Sequence, residues 1–532
     1  MRRMPTNMTH SFSQVPKAKI PRSSFDRSYN YKTTFNAGQL IPIFVDEAVP
    51  GDTFNLKLQA FARLATPIKP LMDNMVMETF YFAVPKRLLW VNWNKFMGEQ
   101  LNPGDSTDFT IPQVQSPAGG WATGSLGDYF GLPLQTSGQL ETSALPFRAY
   151  NLIFNEWFRD QNLVNRLAQN VGDGPDSPTG YTIARRGKRH DYFTSCLPWP
   201  QKGNSVTVPI GTTAPVVGID ANPQFNVNNV DRALTVVSDG SENDVRVADP
   251  GFPTNTYGVK WGSVTGLQTD LSAATAVTIN ELRQAFQIQK LLERDARGGT
   301  RYIEIIRSHF GVVSPDARQQ RPEYLGGGRT NVIVSPIAQT APTDSQQSNL
   351  TPQGNLAAMG TASIGGHGFF KSFTEHCVVI GLVCVRADLN YQQGIERMWS
   401  RKTRYDFYWP ALAMLGEQAV LRKEIFATGT PADDDQVFGY QERYAEYRYK
   451  PSKVTGLFRS KPSTGTSLDL WHLAQDFGSA PVLNSTFIEE NPPVQRVIAV
   501  QDEPHFLFDS YTAFKCARPM PVYGVPGLID HF

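Results

Sequence analysis

A few clusters of polar side chains in this chain could do chemistry, and each also has a plainer structural reading. His376 and Cys377 are adjacent, and Cys384 follows seven residues after Cys377, a set that could ligate a metal or hold a reactive thiol. Neighbouring side chains on a strand face opposite ways, so His376 and Cys377 cannot easily share a ligand, and core thiols are expected. The four cysteines (Cys196, Cys377, Cys384, Cys516) have no C-x-x-C spacing. Neither a zinc site nor a disulfide framework is indicated, and reduced thiols are expected. Asp433-Asp434-Asp435 offers carboxylate oxygens of the kind a hard cation such as calcium prefers, but a solvated acidic loop is the first expectation. No cofactor is implied.

The cations form a second group. Arg185-Arg186-Gly187-Lys188-Arg189-His190 is the densest basic run in the chain. Its guanidinium forks could meet phosphates. A solvated loop or an inter-subunit ion-pair region fits equally well. The N-terminal stretch 1–32 carries Arg2, Arg3, Lys17, Lys19, Arg22, Arg27 and Lys32 against the single acid Asp26. It shows no apolar periodicity and reads as a basic arm that cannot order itself and that faces nucleic acid. Tyr440, Tyr444, Tyr447 and Tyr449 interleave with Arg443, Arg448 and Lys450. That pattern could stack on unpaired bases or pack at a subunit interface.

Catalytic signatures are missing. There is no G-x-x-x-x-G-K-[ST] and no H-E-x-x-H. Thr361–Gly365 lacks the first glycine of a nucleophile elbow, and Gly326-Gly327-Gly328 lacks dinucleotide-binding spacing and reads as a flexible turn.

The elements that must position these groups are mostly strands. Phe54, Leu56, Leu58 and Ala60 alternate with polar residues behind the turn Pro50-Gly51-Asp52, the period of a half-buried strand. Met75–Val84 is rich in β-branched and aromatic residues and ends at Pro85, and Cys377–Val385 is an apolar run of a strand buried on both faces. Tyr440–Tyr449, Arg496–Val500 and Phe506–Phe514 are further candidates. Their wide separation favours long-range antiparallel pairing. Helices are fewer. Pro146 opens one that carries Phe147, Tyr150, Phe154 and Trp157. Thr278 and Glu281 make a capping box for a second, which runs through Ala285, Ile288 and Leu292 to Gly298-Gly299. A third spans Tyr302 to Phe310 and stops at Gly311.

Residues 203–278 differ in kind. They are rich in Val, Thr, Gly, Asn and Asp, with three basic residues against seven acids, and read as a β-rich excursion. The expected organisation is a basic arm over 1–32, a first core part over 33–202, a surface insertion over 203–278 and connecting helices with the remaining core over 279–532. The fold class expected is mainly β: an antiparallel jelly-roll sandwich with long loop insertions and a few helices, since a jelly roll keeps its strands in the core and its loops outside.

Bulk properties narrow the function. There are 50 Lys and Arg against 49 Asp and Glu, for a net charge of +1, so any nucleic-acid contact must come from a local patch. The 43 glycines and 38 prolines among 532 residues fit many turns. The start of the chain has no apolar stretch of signal-peptide type, and no apolar run approaches the ~20 residues that span a bilayer, so a soluble protein without membrane insertion is expected.

Several blocks together resemble the major capsid proteins of the microviruses, most closely the gokushovirus branch. They are Phe25–Phe35, Phe61–Asn74, Arg185–Gly203, Leu282–Leu325, Gln441–Ser460 and Pro521–Phe532. The resemblance spans nearly the whole chain except 203–278. It implies a jelly-roll subunit building a T=1 icosahedral shell around circular single-stranded DNA, assembled in the host cytoplasm and resident in the virion. It also implies small DNA-binding and pilot proteins of the phage as partners, a host surface receptor, and an insertion clustered as protrusions at three-fold axes. It supplies no catalytic residue. On this reading Arg2, Arg3, Lys17, Lys19, Arg22, Arg27, Arg185, Arg186, Lys188 and Arg189 are the DNA-facing candidates, and Pro521–Phe532 lies in an intersubunit contact. The rival reading is a carbohydrate-binding or carbohydrate-active β-protein, since glycosidases need only two carboxylates. The basic arm has no role in it.

Overall fold

The computed structural model describes residues 21–206, 279–340 and 353–523, and between 207 and 278 only the backbone of six short strands. The chain forms two compact units, one of them Gln201–Arg294. In that unit the central strand Val230–Ser238 pairs antiparallel with Asn243–Val247 on one side and Gln224–Val227 on the other.

The larger unit is built on nine strands: β1 (Ser23–Asp26), β2 (Tyr29–Phe35), β3 (Ile41–Ala48), β4 (Thr53–Leu64), β5 (Met75–Pro85), β6 (Glu323–Ala338), β7 (Leu356–Ser372), β8 (Cys377–Ala387) and β9 (Phe506–Arg518). One half orders them β2-β9-β4-β7 and the other β3-β8-β5-β6, all antiparallel. Almost every successive strand switches halves, and this is the jelly-roll winding. β6 joins the halves into one curled sheet: Glu323–Val332 pairs with β5, and Ile333–Ala338 pairs with β7.

The side-chain period explains the layers. In β4 the even residues Phe54 to Leu64 are buried, whereas odd residues such as Lys57, Phe61 and Arg63 are exposed. β9 repeats this with Phe506, Phe508 and Phe514 inside. Those inner faces meet the other half of the sandwich, where Phe514 packs edge-on to Phe44 of β3 at 5.4 Å; within its own half Phe514 lies edge-on to Phe54 of β4 at 4.9 Å. β8 does not alternate, because both of its faces are covered. Val379, Val383 and Val385 face the sandwich core, and Val378, Ile380, Leu382 and Cys384 pack on the connection between β5 and β6.

That connection contains helix α1 (Leu145–Ile153), with Pro146 at its first turn and Phe147 and Tyr150 buried against β8. α1 runs on into a single π turn over Phe154–Phe158, an insertion that re-aims the helix end. Helix α2 (Ile279–Gly298) follows, and α3 (Tyr302–Phe310) ends where Gly311 takes the left-handed conformation at φ 71°. No helix among the described residues is long and apolar enough to cross a membrane.

Four expectations are corrected. Residues 23–32 do not belong to an unordered arm: β1 and β2 pair with β9, and Tyr29 and Tyr31 turn inward at a spacing of two. Gly326-Gly327-Gly328 is not a flexible turn but lies inside β6, where the backbones of β7 and β5 leave no room for a Cβ at Gly326 and Gly327 and the His367 ring leaves none at Gly328. Arg496–Val500 is not a strand, since Val494–Val497 forms a helical turn. The strand beginning at Val437 ends at Glu442, because Tyr444 takes φ 63° and breaks the ladder before Tyr447 and Tyr449. The capping residue expected at Thr278 lies outside the described residues.

Candidate functional site

The π turn shapes a broad cleft among the described residues. It sets Trp157 beside Phe82, with ring centroids 5.4 Å apart, and Phe158 edge-on to Phe80 at 5.2 Å. Tyr324 of β6 extends this aromatic floor, 5.5 Å from Phe82. Above the floor lies a cleft of about 1100 Å³. Its walls are strongly cationic. Arg159, Arg186, Lys188, Arg189, Arg297, Arg301, Arg307 and Arg386 line it, against the two carboxylates Asp160 and Glu304.

Several of these cations are already engaged. Arg186 lies 4.7 Å over Phe80 and 5.5 Å over Phe158 and pairs with Glu78. Arg386 reaches the same Glu78 oxygen through Nη2 at 2.8 Å, so two guanidinium groups share one carboxylate. Lys188 Nζ donates to Gln475 Oε1 at 2.9 Å and sits 4.4 Å over the Phe487 ring, and burial pushes its ammonium down to about 8. Arg189 pairs with Asp388 at 3.2 Å. Arg185 binds Asn491 Oδ1 at 3.1 Å and the Glu490 carbonyl at 3.3 Å. The basic run thus ties β5 and β8 to the long connection before β9.

Others are partly engaged: Arg301 Nη1 pairs with Glu304 at 3.1 Å and Arg159 Nη1 donates to the Val164 carbonyl at 3.0 Å. Arg301 Nη2 donates to the carbonyls of Asn155 at 2.9 Å and Arg159 at 3.0 Å, but its Nε is buried without a partner among the described residues. The same holds for Arg159 Nε and Arg189 Nη2. Burial first, then the neighbouring Arg301 and Arg166, lower the Arg159 pKa. Arg307 is exposed on α3.

The remaining sequence candidates lie elsewhere or outside the description. Arg2, Arg3, Lys17 and Lys19 fall outside the described residues. Arg22 is exposed just before β1 and bonds Thr53. Arg27 pairs with Asp46 and lies 5.3 Å over Phe514. Asp434 accepts the Thr428 amide at 2.8 Å, the Thr428 hydroxyl at 2.9 Å and the Gly429 amide at 2.9 Å, which staples a turn, and Asp435 pairs with Lys423. Among the described residues no group of three or more His, Cys, Asp or Glu is placed to hold a metal ion. All four cysteines are buried and unbridged. Tyr444 is buried 5.2 Å from Tyr408, and Arg401 lies 4.4 Å over the half-exposed Tyr447.

Sequence reasoning found the run at 185–189 and missed Arg159, Arg297, Arg301, Arg307 and Arg386. They come from three segments, around Arg159, over 297–307 and at Arg386, and only the fold brings these together with the run at 185–189.

Glu78 carries a pH dependence. Burial raises its pKa, but the charges of Arg186 and Arg386 and their hydrogen bonds outweigh that and hold the carboxyl below its ordinary value. Such a group stabilises the fold fully above its unfolded pKa of about 4.3, and the contribution is lost as pH falls through the lower folded value. Glu78→Gln is expected to lower the urea midpoint at pH 7 and to flatten the acid side of the stability–pH curve. Equal midpoints for variant and parent across that range would show that the pair contributes nothing.

A jelly-roll sandwich with long connections and a cationic, aromatic cleft falls in the class of jelly-roll domains that includes viral shell proteins. The sequence matches the family model described as capsid protein (F protein) over residues 13–528, and the chain belongs to that family. It is 49% identical to capsid protein VP1 of Bdellovibrio phage phiMH2K, over 98% of each chain. It is 45% identical to capsid protein VP1 of Chlamydia phage 1 over 99% of each, and 37% identical to that of Spiroplasma virus 4 over 98% of this chain and 97% of the relative. These relatives are all microvirus proteins. The protein is a major capsid protein, a part of the virion that assembles with copies of itself.

Proposed function

We propose that the chain builds a T=1 icosahedral shell around circular single-stranded DNA, assembles in the host cytoplasm, and acts as a structural protein and not an enzyme. The observation that supports this most is the end-to-end similarity to microvirus capsid proteins, combined with a jelly roll. In this reading residues 203–278 protrude at three-fold axes and touch a host surface receptor, and residues 521–532 lie in a subunit contact. Small DNA-binding and pilot proteins of the phage share the particle. Sedimentation of the full-length protein expressed with a phage genome tests the reading. Fast-sedimenting material carrying nuclease-protected single-stranded DNA is expected. A slow species with unprotected DNA would count against it.

The basic N-terminal stretch is placed inside the shell, against the genome. Neutralising Arg2, Arg3, Lys17 and Lys19 is expected to reduce the log–log salt slope of single-stranded DNA binding by about 2.8, at ~0.7 per phosphate, without shifting the unfolding midpoint. An unchanged slope would remove the arm from the DNA contact.

A further inference from the structure

We infer that the segment 395–415, with Tyr447 beside it, is a docking face for a second copy of this chain, and that it meets the acidic stretch 96–147 of that copy. The inference rests on self-assembly and names a contact through which copies join.

The face is apolar and fixed in shape. Trp399, Tyr405, Phe407, Trp409, Met414 and Leu415 are between 49% and 93% exposed. Single exposed apolar residues are normal, but a concentration of large ones marks an interaction site, and aromatic residues, Met and Arg are the types enriched in protein interfaces. Three short 3-10 turns, Arg397–Ser400, Arg404–Asp406 and Pro410–Leu412, shape the segment. Asp406 accepts the amides of Lys402 at 2.9 Å and Thr403 at 2.7 Å, and Trp409 Nε1 donates to the Arg404 carbonyl at 2.8 Å. Arg401 lies 5.3 Å over Phe407 and 4.4 Å over Tyr447. A segment held this way has little ordering left to lose when a partner covers it. Beside it a cavity of about 210 Å³, lined by Met398, Arg401 and Tyr449 among others, gives an incoming side chain a pocket.

Charge identifies the occupant. Lys402, Arg404 and Arg459 are exposed and pair with no carboxylate among the described residues, and Lys450 and Lys453 share the single carboxylate of Glu396, at 2.7 and 2.5 Å. The face therefore calls for an acidic partner, and the chain carries one. Residues 96–147 hold five carboxylates and no Lys or Arg. None of the five forms an ion pair among the described residues, and Glu99, Asp108 and Glu141 are exposed, as are the apolar Met97 and Leu101 near Glu99. Two different surfaces of opposite charge, each with apolar side chains, suit a head-to-tail contact, the kind that closes into rings. Nucleic acid would also answer the charge, but the aliphatic Met414 and Leu415 give a base no ring to stack on.

The test uses the full-length protein, with assembled material measured by sedimentation and electron microscopy. Lys402→Glu with Arg404→Glu is expected to cut the assembled fraction at least about tenfold, and Glu99→Lys with Asp108→Lys to do the same, because each pair sets like charges against each other across the contact. The chain with all four substitutions is expected to recover assembly to within about twofold of the parent, since both faces are then reversed together. Raising salt to about 1 M, where the screening length falls to about 3 Å, is expected to return part of the loss in each reversed pair. Trp399→Ala with Met414→Ala is expected to lower the assembled fraction about tenfold at low and high salt alike. Lys57→Glu with Arg63→Glu, on the exposed face of β4, is the control and is expected to assemble as the parent does. All these positions are exposed, and each variant's urea midpoint is read beside its assembly to separate a lost contact from a folding defect. Equal losses in the control would overturn the face in favour of general charge sensitivity. A four-substitution chain no better than either pair would show that the two surfaces do not meet. Intact shells from Lys402→Glu with Arg404→Glu that have lost binding to oligothymidylate would assign the face to nucleic acid, and intact shells that have lost another phage protein would assign it to that partner; either result overturns the contact between copies. A parent that stays monomeric would sink self-assembly itself, and this contact with it.

Discussion

Arg148→Met is expected to destabilise the subunit by about 3–5 kcal/mol, a large share of the ~5–15 kcal/mol that holds a domain folded. The Arg148 side chain is fully buried, and that of Asp176 is 3% exposed. Nε and Nη2 make a two-pronged pair with the carboxylate at 2.7 and 2.8 Å, and Nη1 donates to the carbonyls of Leu89 at 3.0 Å and Gly172 at 2.9 Å. Methionine fills similar volume but strands the Asp176 charge and both carbonyls in the interior. Asp176 also accepts from Tyr181 and Asn170, so the loss spreads through the network that ties α1 to Leu89 and to the segment 170–181. Burial raises the Asp176 pKa, but the bonds from Arg148 and Tyr181 and the Arg148 charge outweigh it and keep the carboxyl below its ordinary value. Its stabilisation is therefore complete above the unfolded pKa of about 3.9 and declines as pH falls through the lower folded value. Urea unfolding at pH 7 measures the effect, with soluble yield as a second readout. A midpoint within error of the parent would show that the pair is dispensable.

Gly327→Ala should cost about 3 kcal/mol or more and lower the yield of folded protein. A Cβ at Gly327 would stand 2.0 Å from the Thr79 carbonyl oxygen, and the obstacle is backbone that cannot rotate away. β6 would have to leave β5 along the pairing from Gly326↔Tyr81 to Arg329↔Glu78, which also opens the floor of the cleft. Gly365→Ala on β7 is the control, since nothing lies within 4 Å of its Cβ position, and it should be close to neutral. Thermal melts of the two variants side by side decide the matter. Equal melting temperatures would mean that β6 can shift at little cost.

The contrast between Gly327 and the strand Cys377–Val385 shows what the chain discloses before folding. An unbroken apolar run can only be covered on both faces, and β8 is buried throughout. The alternation at Phe54–Ala60 and the helix opened at Pro146 are equally local and appear as expected. Gly326–Gly328 looked like a turn because glycine permits one, and only the close approach of β5 and β7 reveals why the residues are small. β1 and β2 were hidden for another reason: their partner β9 lies near the other end of the chain, and surrounding cations mask the Tyr29 and Tyr31 pattern. The cleft was the least legible feature. The dense run at 185–189 drew attention, yet most of its members are tied to Glu78, Gln475, Asp388 and Asn491, while unpartnered donors belong also to Arg159 and Arg301. Charge density along a sequence does not report which cations the fold leaves unmatched.

Cryo-electron microscopy of the purified full-length protein is the most direct test of the capsid account. The expected result is closed icosahedral particles with T=1 symmetry, whose subunit density shows β2-β9-β4-β7 facing β3-β8-β5-β6. Particles of another symmetry would contradict the proposed shell, and protein that stays monomeric at all concentrations and salt conditions, with or without single-stranded DNA, would contradict self-assembly itself.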